Sequence, residues 1–488
     1  MPHYTGLQAL HDLTQIAPIV AIMVALLVAI TVDLVLPRGY RGPAVALIAF
    51  LGYLTSLGIA IGEWMNGSGG SAYYGFATGD SFALFFEMLF AVLGVLTVAV
   101  ASPYLEARGW LESEFHVLTL AAVAGMMVLG SATSLVTVFL GLELLSIALY
   151  IASGYDRGST SSQEAAAKYL LVGGFASAFV LYGMALIYGA TGSTLLPVIA
   201  ERLGSNPASN SLLLLGLVLM GVGFAFKVSA APFHMWTPDV YQGAPLPVTM
   251  FMSVGTKAAA FAMIVRVFSL GLPHLSGEWQ LFLAFVAVVS MLVGNLMAIV
   301  QTSIKRLLAY SGVAQAGYIL VGVVAGGKAG LAAVAFYLFA YLFMNLGAFA
   351  VLTHLSGPDG DRDRMSELDG LGQQQPWLGL LMTLFMLSLA GFPPFVGFFG
   401  KFFLFTAAVQ NGFLWLAVIA VLMSVVSVYY YLRVVAHVWT PVAAPAPRLP
   451  RPGSAVAIGV SGLFSLGLGL FPSLMFGLGL VAAIPILR

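Results

Sequence analysis

The sequence predicts an all-α polytopic membrane protein with about fourteen transmembrane helices. Of its 488 residues, 60% are hydrophobic and only 8% are charged, and the mean hydropathy is +1.00. A soluble globular domain contains about a quarter charged residues, so this chain cannot build an ordinary water-facing surface. Apolar runs of about 20 residues, enough to cross the hydrocarbon core of a bilayer, recur along the chain with short connections between them.

The composition also excludes several kinds of site. There are no cysteines, which excludes disulfides, thiolate zinc sites and cysteine-ligated iron–sulfur clusters. The histidines are well separated and suggest no facing pair of haem ligands, so we expect neither a metal nor a redox cofactor in this chain. The formal net charge is zero, which gives no indication of a nucleic-acid partner.

The predicted spans follow one another with short loops, so neighbouring spans are expected to be antiparallel. The first lacks a basic region before it and is expected to be a retained helix rather than a signal peptide. We place the spans at 14–36, 43–63, 79–101, 114–130, 132–153, 165–190, 211–235, 243–269, 279–301, 305–326, 329–355, 377–408, 412–438 and 454–476.

Lysine and arginine are distributed unequally between alternate loops, and this bias predicts the orientation. The poorer set contains little beyond Arg202 and Lys328. We expect the richer set to be cytoplasmic and both termini to lie outside. The richer set contains Arg38, Arg41, Arg108, Arg157, Lys305, Arg306, Arg362, Arg364, Arg448 and Arg451.

Three segments differ in composition from the spans and are interpreted as connectors. The segment 66–70 (NGSGG) is a flexible external turn, and 357–370 (GPDGDRDRMSELDG) is a charged cytoplasmic loop. The segment 441–452 (PVAAPAPRLPRP) is a proline-rich linker before the last helix.

Two predicted spans are interrupted by prolines. The seventh contains FKVSAAPFHMWTP and the twelfth contains SLAGFPPFVGFFGKFF, so the breaks occupy the same place in two groups of five spans, 4–8 and 9–13. An odd number of helices in each group predicts two inverted repeats, in which paired broken helices mark an ion path. We therefore divide the chain into 1–113 (first three helices), 114–270 and 271–440 (the repeats), and 441–488 (linker and last helix).

A few ionisable residues lie inside predicted spans, where a charge costs at least about 2.5–3.5 kcal/mol. Removal from water disfavours the charged form of an amine, so a buried lysine can exchange a proton near neutral pH. At about 7 Å and an effective dielectric of about 20, a carboxylate acts on an amine by about 2.4 kcal/mol. The candidates for such a proton switch are Glu143, Lys168, Lys227, Lys257, Lys401 and His234.

Structural explanations stay open for some of these residues. Lys168 lies near its span end and could extend to the cytoplasmic surface. Lys257 and Lys401 could be held by backbone carbonyls freed at the breaks. Glu143 has apolar neighbours on every side and no surface within reach, so a structural role is harder to argue. Residues nearer span ends are interpreted as structural: Asp33, Glu87, Arg266 and Arg433.

Pro232 forces the seventh span to break or kink, because it lacks an N–H and clashes with an earlier carbonyl. In lipid such a break is tolerated only where the freed groups line a cavity or meet other helices, so we expect polar, hydrated space nearby. Lys227 is expected one turn before the break and His234 just after it, on the same face if the helix continued. Gly221 and Gly223 would admit a neighbouring helix.

Long stretches of the sequence resemble the antiporter-like subunits of respiratory complex I and their Mrp-type cation/proton antiporter relatives. They are FKVSAAPFHMWTPDVYQGAPLPVTMFMSVGTKAAAF, LGLELLSIALYIASGY, KRLLAYSGVAQAGYIL and LAGFPPFVGFFGKFFLF. Within the family the chain is most similar to the subunit N branch, because its twelfth-span ionisable residue is a lysine and no long lateral helix follows span fourteen. By resemblance, Glu143, Lys227, Lys257 and Lys401 correspond to the essential residues, and Lys168 and His234 to the connecting path.

The resemblance implies proton translocation across the bacterial cytoplasmic membrane, driven by quinone reduction in partner subunits that carry the flavin and iron–sulfur clusters. Other complex I membrane subunits, including neighbouring antiporter-like ones, are the implied partners. Two alternatives remain: a subunit of an Mrp-type sodium/proton antiporter, and a non-conducting scaffold that only holds its partners.

Overall fold

The structure, a computed structural model, describes residues 6–67, 69–203, 207–358, 360–441 and 451–487. Most of the predicted linker at 441–452, including Arg448, lies outside the described residues, as does Ser68 of the predicted turn at 66–70.

The described part of the chain is almost entirely helical, as predicted. The helices before residue 270 are α1 (Gly6–Gln15), α2 (Ala17–Val35), α3 (Arg38–Asn66), α4 (Ser81–Ala107), α5 (Glu112–Ser131), α6 (Leu135–Ser153), α7 (Thr160–Thr191), α8 (Leu196–Arg202), α9 (Ser211–Lys227), α10 (Trp236–Gly243) and α11 (Leu246–Val265). Those after it are α12 (Ser276–Ile299), α13 (Ile304–Ala325), α14 (Gly327–Leu355), α15 (Leu371–Gln374), α16 (Pro376–Ala390), α17 (Val396–Gln410), α18 (Leu414–Trp439), α19 (Pro452–Leu470) and α20 (Pro472–Ala482).

Among the described residues, twelve helices are long and apolar enough to cross a membrane: α2 to α7, α11 to α14, α18 and α19. The predicted seventh and twelfth spans are instead built from the shorter apolar helices α9, α16 and α17. Two details depart from the prediction. A two-stranded hairpin, β1 (Ser71–Ala72) with β2 (Ala77–Thr78), precedes α4. The last predicted span is divided at Phe471, because Pro472 starts a new helix.

Helices α11, α13 and α14 form the centre of the molecule. In the apolar stretch of each of these helices 94–100% of the residues are buried, whereas in α2, α3, α7 and α18 only 28–39% are buried. The central helices therefore hold their polar side chains away from lipid.

Close packing relies on small residues, as the sequence predicts for Gly221 and Gly223. A Cβ atom at Gly223 would lie 2.2 Å from a methyl carbon of Val180 on α7.

The helical structure is interrupted between α9 and α10. Residues 228–235 form turns, and Ser229 has a φ of 61°, in the left-handed region. The freed N–H of Ala231 donates to Ser290 Oγ on α12 at 2.9 Å. A neighbouring helix thus satisfies part of the broken backbone, as a lipid-buried break requires.

Helix α9 ends at Lys227, so the prediction that Lys227 lies a full turn before the break is wrong. The ring of a proline clashes with the carbonyl four residues earlier, which for Pro232 is that of Val228. The backbone leaves the helical conformation at Ser229, whose φ is 61°, so the helix ends ahead of the proline rather than at it. Because it does not continue, His234 does not share a helical face with Lys227.

The charged segment 357–370 does more than connect two helices. Asp361 accepts hydrogen bonds from Tyr104 Oη (2.5 Å), Arg108 Nη2 (2.7 Å), Lys305 Nζ (2.8 Å) and the Leu246 N–H (3.2 Å). Burial raises the pKa of the Asp361 carboxyl, but the Lys305 and Arg108 cations outweigh burial and hold the pKa below its ordinary value. This contact set, called here the Asp361 cluster, joins the ends of α4, α11 and α13.

Candidate functional site

Lys227 ends α9 with its amine against α6. The side chain is 6% exposed, and Nζ donates to Ser146 Oγ at 2.7 Å and to Tyr150 Oη at 3.4 Å. Glu143, Ser146 and Tyr150 are spaced three and four residues apart on α6, so they occupy one helical face. The hydroxyl groups solvate the ammonium, but neither carries a charge that would neutralise it.

Glu143 lies at the edge of this polar face. It is half-buried beside exposed Leu140 and Ile147, so the expectation that no surface lies within its reach is wrong. Its Oε1 atom is nevertheless buried and has no hydrogen-bond partner within the described part of the chain. Glu143 lies three residues before Ser146, the acceptor of the Lys227 amine, on the same face of α6. A carboxylate so placed can change its influence on Lys227 with a small movement.

Lys257 is fully buried at the centre of α11. Its Nζ donates to Tyr241 Oη at 3.4 Å. The amine lies against Gly312 of α13, where a Cβ atom would be 3.2 Å from Nζ and 3.4 Å from Tyr341 Oη. Because glycine has no side chain, Gly312 leaves space for both the Lys257 amine and the Tyr341 phenol.

Lys401 lies on α17 beside the second break and is 4% exposed. Its Nζ donates to the Ala390 carbonyl and to Ser424 Oγ, both at 2.9 Å, and sits 4.8 Å from the centroid of the Tyr318 ring. Ala390 is the last residue of α16, so its carbonyl is one freed by the break. The carbonyl contact that the sequence offers as an alternative explanation is therefore present at Lys401, while Lys257 contacts a phenol instead.

A hydrogen-bonded series runs beside the second break. Gln315 Nε2 donates to the Leu389 carbonyl at 3.2 Å and to Tyr431 Oη at 3.0 Å. Tyr431 Oη is 2.5 Å from Ser311 Oγ, and Tyr337 Oη donates to Gln315 Oε1. Every one of these polar side chains is buried.

The two ends of this series are adjacent in sequence to residues that contact the two buried amines. At one end, the Leu389 carbonyl is adjacent in sequence to the Ala390 carbonyl that holds Lys401. At the other end, Ser311 is adjacent to Gly312, against which Lys257 lies.

Between Lys227 and Lys257 the described residues form a row of aromatic rings instead. Tyr150 contacts Tyr169 edge-on with ring centroids 4.8 Å apart, and Tyr169 stacks on Trp236 at 4.4 Å. The Trp236 ring lies 6.3 Å from that of Tyr241, the phenol that contacts Lys257.

Lys168 and His234 lie apart from these contacts. Lys168 Nζ pairs with Glu164 Oε1 at 2.7 Å and Asp239 Oδ2 at 2.9 Å, and its side chain is 44% exposed. A polar cavity of about 140 Å³ adjoins this group. His234 is half-buried in the first break, with its ring centroid 6.1 Å from that of Tyr310.

Sequence reasoning found the charged members of the site and missed the uncharged ones. A charge within an apolar span is visible because it is costly. Hydroxyl and amide residues are common in membrane helices and give no such signal. Ser146 and Tyr150 on α6 could have been identified from their helical spacing from Glu143. The other residues that sequence reasoning missed are Tyr241, Ser311, Gln315, Tyr337, Tyr341, Ser424 and Tyr431.

Residues 132–427 match the family described as NADH:quinone oxidoreductase/Mrp antiporter, TM, which is more than half of the chain. The chain belongs to this antiporter family. It is 42% identical over 475 residues to NADH-quinone oxidoreductase subunit N of Trichlorobacter lovleyi, covering 95% of each chain. The predicted resemblance to subunit N is thereby confirmed.

One solved structure agrees with this assignment to the antiporter family, and a second has the same fold. A chain of respiratory complex I from Thermus thermophilus with bound aureothin superposes with a TM-score of 0.81 at 36% identity, covering 94% of this chain and 98% of that one. A chain of the Mrp complex from Dietzia gives a TM-score of 0.85 at 23% identity, covering 97% and 98%. The second match concerns the fold alone.

Proposed function

We propose that this chain is a proton-translocating membrane subunit of NADH-quinone oxidoreductase in a bacterial cytoplasmic membrane. Its partners are the other membrane subunits of that complex, including neighbouring antiporter-like subunits. Flavin, iron–sulfur clusters and the quinone site belong to partner subunits in this proposal, and the present chain moves protons. The names of its relatives support the assignment to the complex.

One observation carries the proposal: three buried amines, each beside hydroxyl or carbonyl acceptors, in or beside two broken helices. Lys227, Lys257 and Lys401 are 0–6% exposed, although a charged amine in a membrane interior is costly. Each amine contacts neutral acceptors rather than a carboxylate. When such an amine loses its proton, no unpaired carboxylate is left buried beside it. In a purely structural ion pair, loss of the proton would leave the carboxylate without its partner.

The proposed mechanism is electrostatic. When the Glu143 carboxylate moves toward Lys227, it stabilises the ammonium form and the amine takes up a proton. When the carboxylate withdraws, the proton is released to an acceptor in the interior. At about 7 Å and an effective dielectric of about 20 the change is about 2.4 kcal/mol, more than a tenfold shift in occupancy.

We assign Lys168 and His234 to the connecting path. The cavity beside Lys168 is large enough for water, whose share of liquid volume is about 30 Å³, and it provides an entry from the aqueous side. Between Lys257 and Lys401 the series through Ser311, Tyr431 and Gln315 supplies donors and acceptors for onward transfer.

We further propose about fourteen spans, with α9–α10 as the seventh and α16–α17 as the twelfth. The two breaks then mark equivalent places in inverted repeats formed by spans 4–8 and 9–13. The excess of lysine and arginine on the side of the Asp361 cluster makes that side cytoplasmic, with both termini outside.

The test uses Glu143→Ala and Lys227→Ala in the assembled complex in proteoliposomes. We expect each variant largely to abolish coupled proton pumping, measured as protons moved per electron transferred from NADH to quinone. Lys328→Ala, an exposed lysine at the start of α14, serves as the control. Normal proton-to-electron ratios in both variants would refute the proposal and favour the scaffold. Sodium exchange by a complex that does not oxidise NADH would favour the Mrp-type alternative.

A further inference from the structure

A cavity of about 270 Å³ lies where α12, α18 and the segment 357–370 meet, away from the buried lysines. Its lining includes Gln301, Arg364, Arg433 and His437. Trp439, half-exposed at the end of α18, lies two residues beyond His437. Tryptophan is enriched where a membrane meets water, so the cavity lies at the level of the lipid headgroups.

The charge of Arg433 is uncompensated within the described part of the chain. Its Nη1 and Nη2 atoms donate to neutral carbonyls, those of Ile299 (2.6 Å) and Gln301 (2.5 Å). Its Nε atom is buried without a hydrogen-bond partner among the described residues. A buried guanidinium with a free donor is a site to which an anion is attracted.

A second cation faces the same cavity. Neither Arg364 nor Arg433 has a carboxylate oxygen within 4.0 Å in the described segments. The nearby acidic groups make other contacts: Asp369 pairs with His437 at 2.6 Å, and Glu367 accepts from the backbone N–H of Arg364 at 2.7 Å. The cavity therefore presents two guanidinium groups that form no ion pair within the described part of the chain.

An exposed apolar stripe leads along α18 to this cavity. Its members are 40–66% exposed and recur every three or four residues, so they share one helical face. The stripe covers about 20 Å at 1.5 Å per residue, longer than one leaflet of hydrocarbon at about 15 Å. It consists of Val418, Val421, Leu422, Val425, Tyr429 and Leu432.

We propose that the cavity binds the phosphate of an anionic phospholipid, whose acyl chains lie along the α18 stripe. The two arginines recognise the phosphate, and basic pockets between membrane helices are suited to acidic headgroups. The continuous apolar stripe favours a lipid over free phosphate, which has no apolar part to place there. The site is independent of the proton path, because no residue of that path lines the cavity.

The test uses phosphatidylglycerol with a photoactivatable acyl chain, added to the membrane complex isolated by a tag on this chain. We expect cross-links to peptides of α18, and we expect Arg364→Gln to lower them about fivefold, the effect of losing one basic residue at a membrane surface. Arg364 is exposed, so its replacement leaves folding intact. Arg362→Gln, in the same segment but outside the cavity, is the control and should label like the wild type.

Three outcomes would overturn the proposal. Equal labelling by an analogue with a choline headgroup would show that the anionic charge of the headgroup is not recognised. An equal loss in the Arg362 and Arg364 variants would show a general charge effect. Competition by inorganic phosphate at the same molar concentration as the lipid would assign the cavity to a free anion.

Discussion

Gly312 leaves room for the buried amine of Lys257. A larger residue at this position should impair proton pumping without lowering the stability of the protein. In Gly312→Ala the new Cβ atom would lie 3.2 Å from Lys257 Nζ and 3.4 Å from Tyr341 Oη, so the amine must move. Alanine stabilises a helix by about 1 kcal/mol relative to glycine, so α13 itself is not weakened. We expect normal assembly with a lowered proton-to-electron ratio in proteoliposomes.

The control for this variant is Gly174→Ala on α7, where a Cβ atom would meet nothing within 4 Å. It should leave pumping unchanged. If Gly312→Ala pumps as well as Gly174→Ala does, the position of the Lys257 amine is not critical.

Ser146 is the nearest hydrogen-bond acceptor of the Lys227 amine, at 2.7 Å. In Ser146→Ala the buried ammonium keeps only the longer contact to Tyr150, and loss of a buried partner costs about 1–3 kcal/mol. Because the charged form is the one that needs the acceptor, we expect slower proton uptake and reduced pumping, with activity restored by Ser146→Thr.

Ser153→Ala on the same helix is the matched control, because its hydroxyl donates to its own helix at Leu149 and is not a partner of Lys227. Equal pumping by the Ser146 and Ser153 variants would show that the hydroxyl does not support the ammonium.

At the scale of the element, the broken backbone of residues 228–235 depends on a neighbouring helix. Ser290 on α12 accepts the Ala231 N–H at 2.9 Å. In Ser290→Ala this buried donor loses its partner, which costs about 1–3 kcal/mol. We expect a lower melting temperature of the purified complex and easier proteolysis between α9 and α10.

Ser461→Ala on α19 serves as the comparison, since Ser461 Oγ is buried without a hydrogen-bond partner in the described residues. That variant should melt like the wild type. If the two serine variants had the same melting temperature, Ser290 would not stabilise the break.

The breaks also show how far sequence reasoning reaches. Pro232 and the pair Pro393–Pro394 locate both interruptions, because proline chemistry acts locally. The sequence suggests that a freed carbonyl could hold Lys401 but not that it is the carbonyl of Ala390, because that contact depends on how two half-helices pack. Periodicity and length predict which segments are helices; the partners of each polar group are decided by tertiary structure.

At the scale of the whole molecule, the charged segment 357–370 is the clearest example of information that the sequence hides. A run of aspartates and arginines is typical of a solvated loop, yet Asp361 is largely buried against Arg108 and Lys305. The acids and bases that meet there are some 50 to 250 residues apart in the chain, so spacing gives no sign of them. The Asp361 cluster consequently ties α4, α11 and α13 together at one end of the molecule.

We expect Asp361→Asn to destabilise the protein by about 3–5 kcal/mol at neutral pH, because it leaves two largely buried cations without their carboxylate. The pKa of Asp361 is held below its ordinary value in the folded protein, so its stabilising contribution is complete above the unfolded-state pKa. The contribution is lost as the pH falls through the lowered folded-state value. The difference in melting temperature between wild type and variant should therefore be largest near neutral pH and shrink only in acid.

Glu114→Gln is the control, because the pair of Glu114 with Arg157 is exposed and worth no more than about 1 kcal/mol. Hydrogen exchange gives a second readout: if the cluster unites the helices, Asp361→Asn should speed exchange at the end of α4 and at the start of both α11 and α13. Faster exchange confined to residues 356–370 would mean that the segment is only a connector. The helices that carry Lys257 and Gly312 would then be held in place by apolar packing alone.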